Sequence, residues 1–236
     1  MDANASSAVH IQVDTTLGSV QLQGIVGRPE QARGMVVFAH GSGSGRLSPR
    51  NQFVATTLQE AGFATLLFDL LTADEELRER YTRHLRFDIA LLAQRLLAAT
   101  RWLHTQPTLA TLPIGYFGAS TGAAAALVAA ADVAAMHTME ADDVEIAAVV
   151  SRGGRPDLAG AALAQVHAPT LLIVGSNDTE VIALNQQALA QLRGIKALEL
   201  VPQAGHLFEE PGTLALAARL AVAWFDLHLH AEGAPG

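Results

Sequence analysis

Cysteine is absent from this chain of 236 residues, which excludes disulfide bonds and thiolate nucleophiles. Charged residues are also scarce at 16%, against about 25% in an average protein, whereas 50% of the residues are hydrophobic. The net charge of −8 argues against nucleic acids and anionic membranes as partners. The composition therefore suits a well-packed enzyme core. We expect a monomer or a homodimer whose partner is a small-molecule substrate.

The sequence also lacks a long hydrophobic run. Its longest wholly apolar stretch, residues 123–131, is far shorter than the roughly 20 residues that cross a bilayer. The first residues, MDANASSAVHIQV, contain neither the basic region nor the apolar region of a secretory signal. We therefore expect a cytoplasmic protein without a membrane partner.

Short apolar segments alternate with helical patterns along most of the chain. VHIQV and VQLQGIVG, on either side of DTTLGS, alternate apolar and polar residues, which predicts an N-terminal antiparallel hairpin. The later apolar runs are nearly continuous, as in parallel strands that are buried on both faces, and helical patterns separate them. The predicted parallel strands are 35–40, 64–70, 113–118, 146–150, 169–175 and 197–201, and the predicted helices are 49–61, 86–105, 121–134, 157–166, 180–193 and 213–229.

This alternation predicts a single α/β domain across residues 1–236, with an ordered core of about 9–229, a mostly parallel sheet and helices on both faces. Residues 151–168 are too few for a lid domain, and the acidic segment 132–145 predicts a surface excursion. Polar motifs follow the strands: GSGSGR, then Ser120, SRGGRPD, SND and PQAGH. Because ligands of open α/β sheets bind outside the carboxyl ends of the strands, these motifs predict one site at one sheet edge.

Ser120 lies in GASTG, a Gly-x-Ser-x-Gly pattern between a predicted strand and a predicted helix. A serine hydroxyl is a poor nucleophile, so it needs a base, an acid that orients the base, and donors for the oxyanion. Gly118 and Gly122 leave room for a sharp turn that exposes Ser120, as a nucleophile requires. A plain turn of small residues is the alternative interpretation of the same five letters.

Nine histidines compete for the role of base. His206, in PQAGHLFEEPG after the last parallel strand, has the position that suits this role. Asp178, in SND after the neighbouring strand, is the predicted acid, with Asp157 as the alternative. The chain order Ser120, Asp178, His206 is nucleophile, acid, base, which favours catalysis over a plain turn.

The loop HGSGSG and the helix start after Ser120 supply the expected oxyanion donors, the amides of Ser42 and Thr121. The loop does not match the Gly-x-Gly-x-x-Gly dinucleotide pattern and no P-loop lysine follows it, so no nucleotide cofactor is expected. His228 and His230 are two residues apart and cannot share a helix face, so no metal site is expected either. His40 is expected to brace the loop through hydrogen bonds.

Arginine supplies nearly all of the positive charge, because Lys196 is the only lysine. Four arginines lie in loops at the predicted site, and TRHLRFD (82–88) is expected to border the same edge. These four either pair with acids and brace the loops, or bind a substrate carboxylate through the planar guanidinium. The four are Arg46, Arg50, Arg152 and Arg155, and the candidate acids for Arg152 and Arg155 are Asp157, Glu209 and Glu210.

The motifs FAHGSGSGRLSPRN, GYFGASTG, VVSRGGRPDL, LLIVGSND and AGHLFEEPG together resemble the dienelactone-hydrolase-like branch of the α/β-hydrolase superfamily over residues 9–228. The resemblance implies the eight-stranded α/β-hydrolase fold, with Ser120, Asp178 and His206 as the catalytic triad. Dienelactone hydrolase itself has a cysteine nucleophile, which this chain lacks. A carboxylic ester is therefore a safer expectation than dienelactone as the substrate.

These patterns predict a serine hydrolase that cleaves a carboxylic ester or lactone through an acyl-serine intermediate, without a cofactor. Acyl transfer or peptide cleavage by the same triad is an alternative, because the triad defines the nucleophile and not the acceptor. A non-catalytic binding module with the same fold is a second alternative. Such a module would not need the serine, the acid, the histidine and the glycine-rich loop together.

Overall fold

The computed structural model describes residues 4–15, 18–136 and 144–229, which form one eight-stranded sheet with helices around it. Residues 16–17 of the predicted turn DTTLGS, His230 and most of the predicted excursion, with His137, lie outside the described residues. The strands are β1 Asn4–Thr15, β2 Gly18–Pro29, β3 Met35–Ala39, β4 Ala64–Phe68, β5 Ile114–Ala119, β6 Ile146–Arg152, β7 Thr170–Gly175 and β8 Lys196–Val201.

The described part of the chain contains six α-helices and two 3-10 helices, all of which lie between strands except the last α-helix, which follows β8. The α-helices are α1 Pro49–Glu60, α2 Ala73–Thr82, α3 Ile89–His104, α4 Thr121–Met136, α5 Thr179–Gln191 and α6 Thr213–His228, and the 3-10 helices are Leu85–Phe87 and Pro156–Gln165. Between β6 and β7 the described chain contains only the second 3-10 helix and short connections, with no lid domain.

The sheet has the order β1-β2-β4-β3-β5-β6-β7-β8. The pairs β1–β2 and β2–β4 are antiparallel, and all pairs from β4 to β8 are parallel. The expected mostly parallel sheet with an N-terminal antiparallel hairpin is therefore confirmed. Because β3 and β5 to β8 run in the same direction, their carboxyl ends meet at one edge of the sheet.

The buried residues form two clusters, one on each face of the sheet. On one face, Val54 of α1 and Phe225 of α6 pack with Phe117 of β5. On the other face, Leu96 of α3 and Leu127 of α4 belong to a cluster that also contains side chains of β1, β2 and β4. Burial on both faces explains why the parallel strands read as continuous apolar runs in the sequence.

Two helical segments differ from the sequence prediction. Residues 157–166, predicted as a helix, lie in the 3-10 helix Pro156–Gln165, which is interrupted at Gly160 (φ 54°, ψ −129°). Helix α2 was not predicted, because its sequence ADEELRERYT has no apolar stripe. A capping box marks its start: Thr72 N donates to Glu75 Oε2 at 2.7 Å, and Glu75 N donates to Thr72 Oγ1 at 3.3 Å.

None of the helices within residues 4–15, 18–136 and 144–229 is long and apolar enough to cross a membrane.

Candidate active site

Ser120 lies on a sharp turn between β5 and α4, and its backbone is left-handed with φ 50°. A side chain at either flanking glycine would collide with the backbone. A Cβ built at Gly118 would be 2.4 Å from Ala123 Cα, and a Cβ built at Gly122 would be 2.0 Å from Ala39 O. The two glycines let strand and helix approach each other closely. The strained turn between them exposes the Ser120 side chain at the sheet edge.

This close approach predicts that Gly122→Ala destabilises the protein. The new methyl group meets backbone atoms, which cannot move without shifting β3, so we expect a loss of about 2–3 kcal/mol in the free energy of unfolding. Gly24→Ala is the matched control, because the nearest atoms to its Cβ are side-chain atoms at 3.0–3.3 Å. Urea unfolding of both variants checks this, and an equal loss in the two would contradict the backbone collision.

Asp178 and His206 meet after β7 and β8. Asp178 Oδ2 lies 2.7 Å from His206 Nδ1, which is the distance of a charge-assisted hydrogen bond. Asp178 stands at the N-cap position of α5, yet its side chain makes no capping bond there. The His206 loop is held by Glu210, whose Oε1 accepts the Gly205 N–H at 3.1 Å. This pair can therefore orient an imidazole at the edge where Ser120 lies.

The carboxyl end of β6 contacts both Ser120 and the loop of His206. Ser120 N donates to Arg152 O at 3.4 Å, and a Cβ built at Gly153 would be 2.9 Å from His206 O and 3.8 Å from His206 Nδ1. Ser120 Oγ makes no hydrogen bond with any described residue. Catalytic hydrogen bonds are often long without substrate and shorten when it binds, so this open arrangement is compatible with a nucleophile and its base.

Asp157, the alternative acid, is paired elsewhere. Its two carboxylate oxygens accept hydrogen bonds from Arg155 Nε and Nη2 at 2.9 and 2.8 Å. This bidentate pair raises the pKa of Arg155. No hydrogen bond joins Asp157 to His206 in the described ranges, so the contacts favour Asp178 as the partner of the histidine.

The two predicted oxyanion donors lie side by side. Ser42 N donates to Thr121 Oγ1 at 3.0 Å, an interaction between the glycine-rich loop and the first residue of α4 that sequence reasoning did not foresee. The Ser42 amide is therefore occupied in this state. An oxyanion that uses it must displace the Thr121 hydroxyl or share the N–H with it.

His40 braces the same loop, as expected. One ring nitrogen, Nδ1, is 2.9 Å from Gly41 O, and the other, Nε2, accepts the Leu70 N–H at 2.9 Å. Since Nε2 accepts, the proton of the neutral ring lies on Nδ1 and is donated to the carbonyl. Burial lowers the pKa of His40, which keeps the ring neutral at neutral pH. This histidine shapes the loop and is unavailable as a base.

Arg86 is a further residue at the oxyanion loop, from the segment that the sequence placed at the site border. It lines a narrow cavity together with Ser42, Gly43 and Thr121. The fully buried carboxylate of Glu79 positions it, since Oε2 accepts from Arg86 N at 3.1 Å and from Arg86 Nε at 3.3 Å. The missed helix α2 thus carries an anchor for a side chain beside the predicted oxyanion hole.

Three of the four candidate arginines have carboxylate partners. Arg46 pairs with Asp69, which directly follows β4, and Arg50 Nη1 lies 3.2 Å from Glu209 Oε1. Arg155 forms the bidentate pair described above. These contacts support the bracing role that the sequence left open for them. The interpretation as substrate-binding residues has no support in the contacts of these three side chains.

Arg152 differs from the other three. It is only 7% exposed, and it forms no ion pair with any carboxylate in the described ranges. Burial, followed by the charge of Arg50, lowers the pKa of Arg152 to about 10. Of the two roles that the sequence left open, pairing with Asp157, Glu209 or Glu210 is therefore observed for Arg155 but not for Arg152 in the described ranges. Among the described residues, no group of three or more His, Asp or Glu side chains is arranged to hold a metal ion.

Known proteins resemble this chain over nearly its whole length. A crystal structure of dienelactone hydrolase from Anabaena variabilis ATCC 29413 is 54% identical, covers 97% of this chain and 100% of its own, and superposes with a TM-score of 0.88. A cold-adapted esterase from an Arctic intertidal metagenomic library shares the fold at 16% identity, with a TM-score of 0.74 over 97% of this chain and 96% of the esterase.

A curated protein of Mycobacterium tuberculosis H37Rv, whose name proposes a phosphoribosyl transferase, is 57% identical over 225 residues. The alignment includes 95% of this chain but 48% of that relative, so the chain spans about half the length of the curated relatives that it matches. The model of the dienelactone hydrolase family matches residues 22–226. The chain belongs to the dienelactone hydrolase family.

Proposed function

We propose that this protein is a serine hydrolase that cleaves a carboxylic ester or a lactone through an acyl-serine intermediate. The observation that carries the proposal is the left-handed Ser120 on its glycine-flanked turn, at the same sheet edge as the Asp178–His206 contact of 2.7 Å. Membership of a hydrolase family supports the reaction class. The absence of cysteine makes Ser120 the nucleophile that this edge offers.

In the proposed reaction, Ser120 Oγ attacks the carbonyl carbon of the ester while His206 Nε2 accepts the hydroxyl proton. Asp178 accepts the hydrogen bond from His206 Nδ1, holds that tautomer and stabilises the imidazolium. The imidazolium returns its proton to the leaving alcohol, and the acyl group stays on Ser120. Water then attacks the acyl-serine with His206 again as the base, which releases the acid and restores the hydroxyl.

The oxyanion of both tetrahedral intermediates is proposed to bind the amides of Ser42 and Thr121. Thr121 begins α4, where the first N–H groups have no partner within the helix and the helix dipole favours negative charge. The Ser42 amide already donates to Thr121 Oγ1, so it points toward the Thr121 end of the site. Rotation of that hydroxyl would release the second donor when the substrate arrives.

An activity-based probe tests this proposal. A fluorophosphonate is expected to label the folded protein once, at Ser120, and to abolish hydrolysis of para-nitrophenyl acetate in proportion to labelling. Peptide mapping by mass spectrometry identifies the modified residue, and heat-denatured protein is the control. A folded protein that neither takes the label nor hydrolyses any of a panel of esters and lactones would instead be a binding module.

Acyl transfer is the second candidate within the same mechanism, because an alcohol or amine can replace water as the acceptor. Product analysis with added methanol separates the two: transfer yields the methyl ester, whereas hydrolysis yields the free acid. The name of the mycobacterial relatives belongs to chains about twice as long. We propose that phosphoribosyl transfer resides in the half of those relatives that this chain does not match.

A further inference from the structure

Arg86 brings an unpaired hydrogen-bond donor to the glycine-rich loop. Its Nε donates to Glu79 Oε2 at 3.3 Å, and its Nη2 lies 3.9 Å from Glu76 Oε2. Its third guanidinium nitrogen, Nη1, makes no hydrogen bond with a described residue. The side chain is only 19% exposed, so this donor belongs to a group that is largely removed from solvent. Neither the anchoring by Glu79 nor the proposed triad uses it.

The unpaired nitrogen lies against the loop that carries Ser42. Gly43, the residue after Ser42, has a left-handed backbone with φ 71°. A Cβ built at Gly43 would be 3.6 Å from Arg86 Nη1. Ser42, Gly43, Thr121 and Arg86 line one narrow cavity. Arg86 therefore borders the two residues whose amides are proposed to bind the oxyanion.

The guanidinium is held in place before any substrate binds. The fully buried Glu79 accepts both the backbone N–H and the Nε–H of Arg86 through Oε2, and its Oε1 accepts the Thr82 hydroxyl at 2.7 Å. Because a guanidinium is planar, a fixed Nε also fixes the plane in which Nη1 lies. Donors that are fixed in advance stabilise a transition state without a cost of reorganisation.

The proposed oxyanion hole has one of its two amides occupied. Ser42 N donates to Thr121 Oγ1 at 3.0 Å, whereas the Thr121 amide, at the start of α4, makes no hydrogen bond with a described residue. Removal of one donor from an oxyanion hole typically costs about 10²–10³-fold in kcat. A further donor beside Ser42 and Thr121 would therefore have a large effect on the reaction.

We propose that Arg86 is a catalytic residue of this site, whose Nη1 donates a hydrogen bond to the oxyanion that forms when Ser120 attacks the ester carbonyl. The inference rests on the proposed function, because the oxyanion forms only if the protein performs this attack. The group that Arg86 binds is the reacting carbonyl oxygen, so a neutral ester depends on it as well. Glu79 and Glu76 offset much of the guanidinium charge. The expected effect is therefore that of one hydrogen bond to a charged oxygen, roughly 10- to 150-fold in rate.

Arg86→Gln tests the inference with para-nitrophenyl acetate, an ester without any charged group. We expect kcat/KM to fall roughly 10- to 150-fold with little change in KM, because the interaction is made only in the transition state. Arg78→Gln is the matched control. It removes an exposed arginine of α2, makes the same change in net charge, and is expected to retain the wild-type kcat/KM. A wild-type value of kcat/KM in Arg86→Gln would overturn the inference.

Two further variants separate a direct role from support of the loop. Arg86→Lys keeps the charge but not the planar donors, and it is expected to recover part of the lost kcat/KM. Glu79→Gln/Arg86→Gln removes the buried carboxylate together with its partner, so it carries the same test if Arg86→Gln alone has a lowered Tm. A loss of kcat/KM that follows Tm across these variants, with a raised KM, would overturn the inference and assign Arg86 to bracing of the loop.

A stable mimic of the tetrahedral intermediate provides the second readout. Trifluoromethyl ethyl ketone is expected to form a hemiketal with Ser120 whose oxygen carries negative charge, and its Ki is expected to rise in Arg86→Gln by the factor by which kcat/KM falls. An unchanged Ki would overturn the inference. Hydrolysis by the wild type that Arg86→Gln leaves unaltered would refute only the role of Arg86. A wild type that neither hydrolyses an ester nor forms the hemiketal would refute the hydrolase itself, and the role of Arg86 with it.

Discussion

Ser120→Ala is expected to lower kcat for para-nitrophenyl acetate by roughly 10⁴-fold or more while leaving the fold intact. The nucleophile has no substitute at this edge, because the chain has no cysteine and Ser42, the other serine assigned to the site, is assigned through its backbone amide. Alanine has a Cβ like serine, so the left-handed turn at φ 50° carries the same strain in both proteins. The measurement is steady-state kinetics, with circular dichroism and Tm as the test of folding.

Ser42→Ala is the matched control for this experiment. The Ser42 side chain is exposed and makes no hydrogen bond with a described residue, whereas its backbone N–H, which the substitution keeps, donates to Thr121. We expect Ser42→Ala to retain most of the wild-type kcat. Near wild-type hydrolysis by Ser120→Ala would contradict the acyl-serine mechanism, and equal losses in the two variants would indicate a general disturbance of the site.

Most strands and helices were predictable from the local spacing of apolar residues. The strand predicted at 169–175 is Thr170–Gly175, and the strand predicted at 197–201 is Lys196–Val201. Such runs are predictable because burial on both faces imposes an apolar residue at nearly every position. Helix α2 was missed because its exposed, charged sequence has no such constraint, although Thr72 and Glu75 gave a local capping signal.

The site was predictable only where the information is local. The Gly-x-Ser-x-Gly pattern predicts the turn at Ser120, because the collisions at Gly118 and Gly122 arise between strand and helix on either side of it. Side-chain pairs between residues that are distant in sequence could not be predicted from local patterns. Arg50 pairs with Glu209 across the sheet edge, and the lack of a partner for Arg152 depends on how deeply its side chain is buried.

Asp178→Asn is expected to lower kcat by about 10²–10⁴-fold. The asparagine keeps the shape of the side chain, but it can present an N–H to His206 Nδ1 where the carboxylate accepts one across 2.7 Å. The imidazole then favours the tautomer with its proton on Nε2, which cannot accept the proton of Ser120. Loss of the carboxylate also removes stabilisation of the imidazolium that forms during attack. Both effects act on the chemical step, so kcat falls more than KM changes.

Asp157→Asn is the matched control, because it makes the same substitution at the alternative acid. It breaks the bidentate contact with Arg155 but leaves the Asp178–His206 contact in place. We expect a change in kcat of less than about tenfold, since the lost ion pair is partly exposed and acts mainly on loop stability. Steady-state kinetics with para-nitrophenyl acetate and Tm values for both variants make the comparison. A larger loss of kcat in Asp157→Asn than in Asp178→Asn, at equal Tm, would transfer the acid to the loop after β6. The hydrogen bond between Asp178 and His206 would then be a bracing contact of the His206 loop.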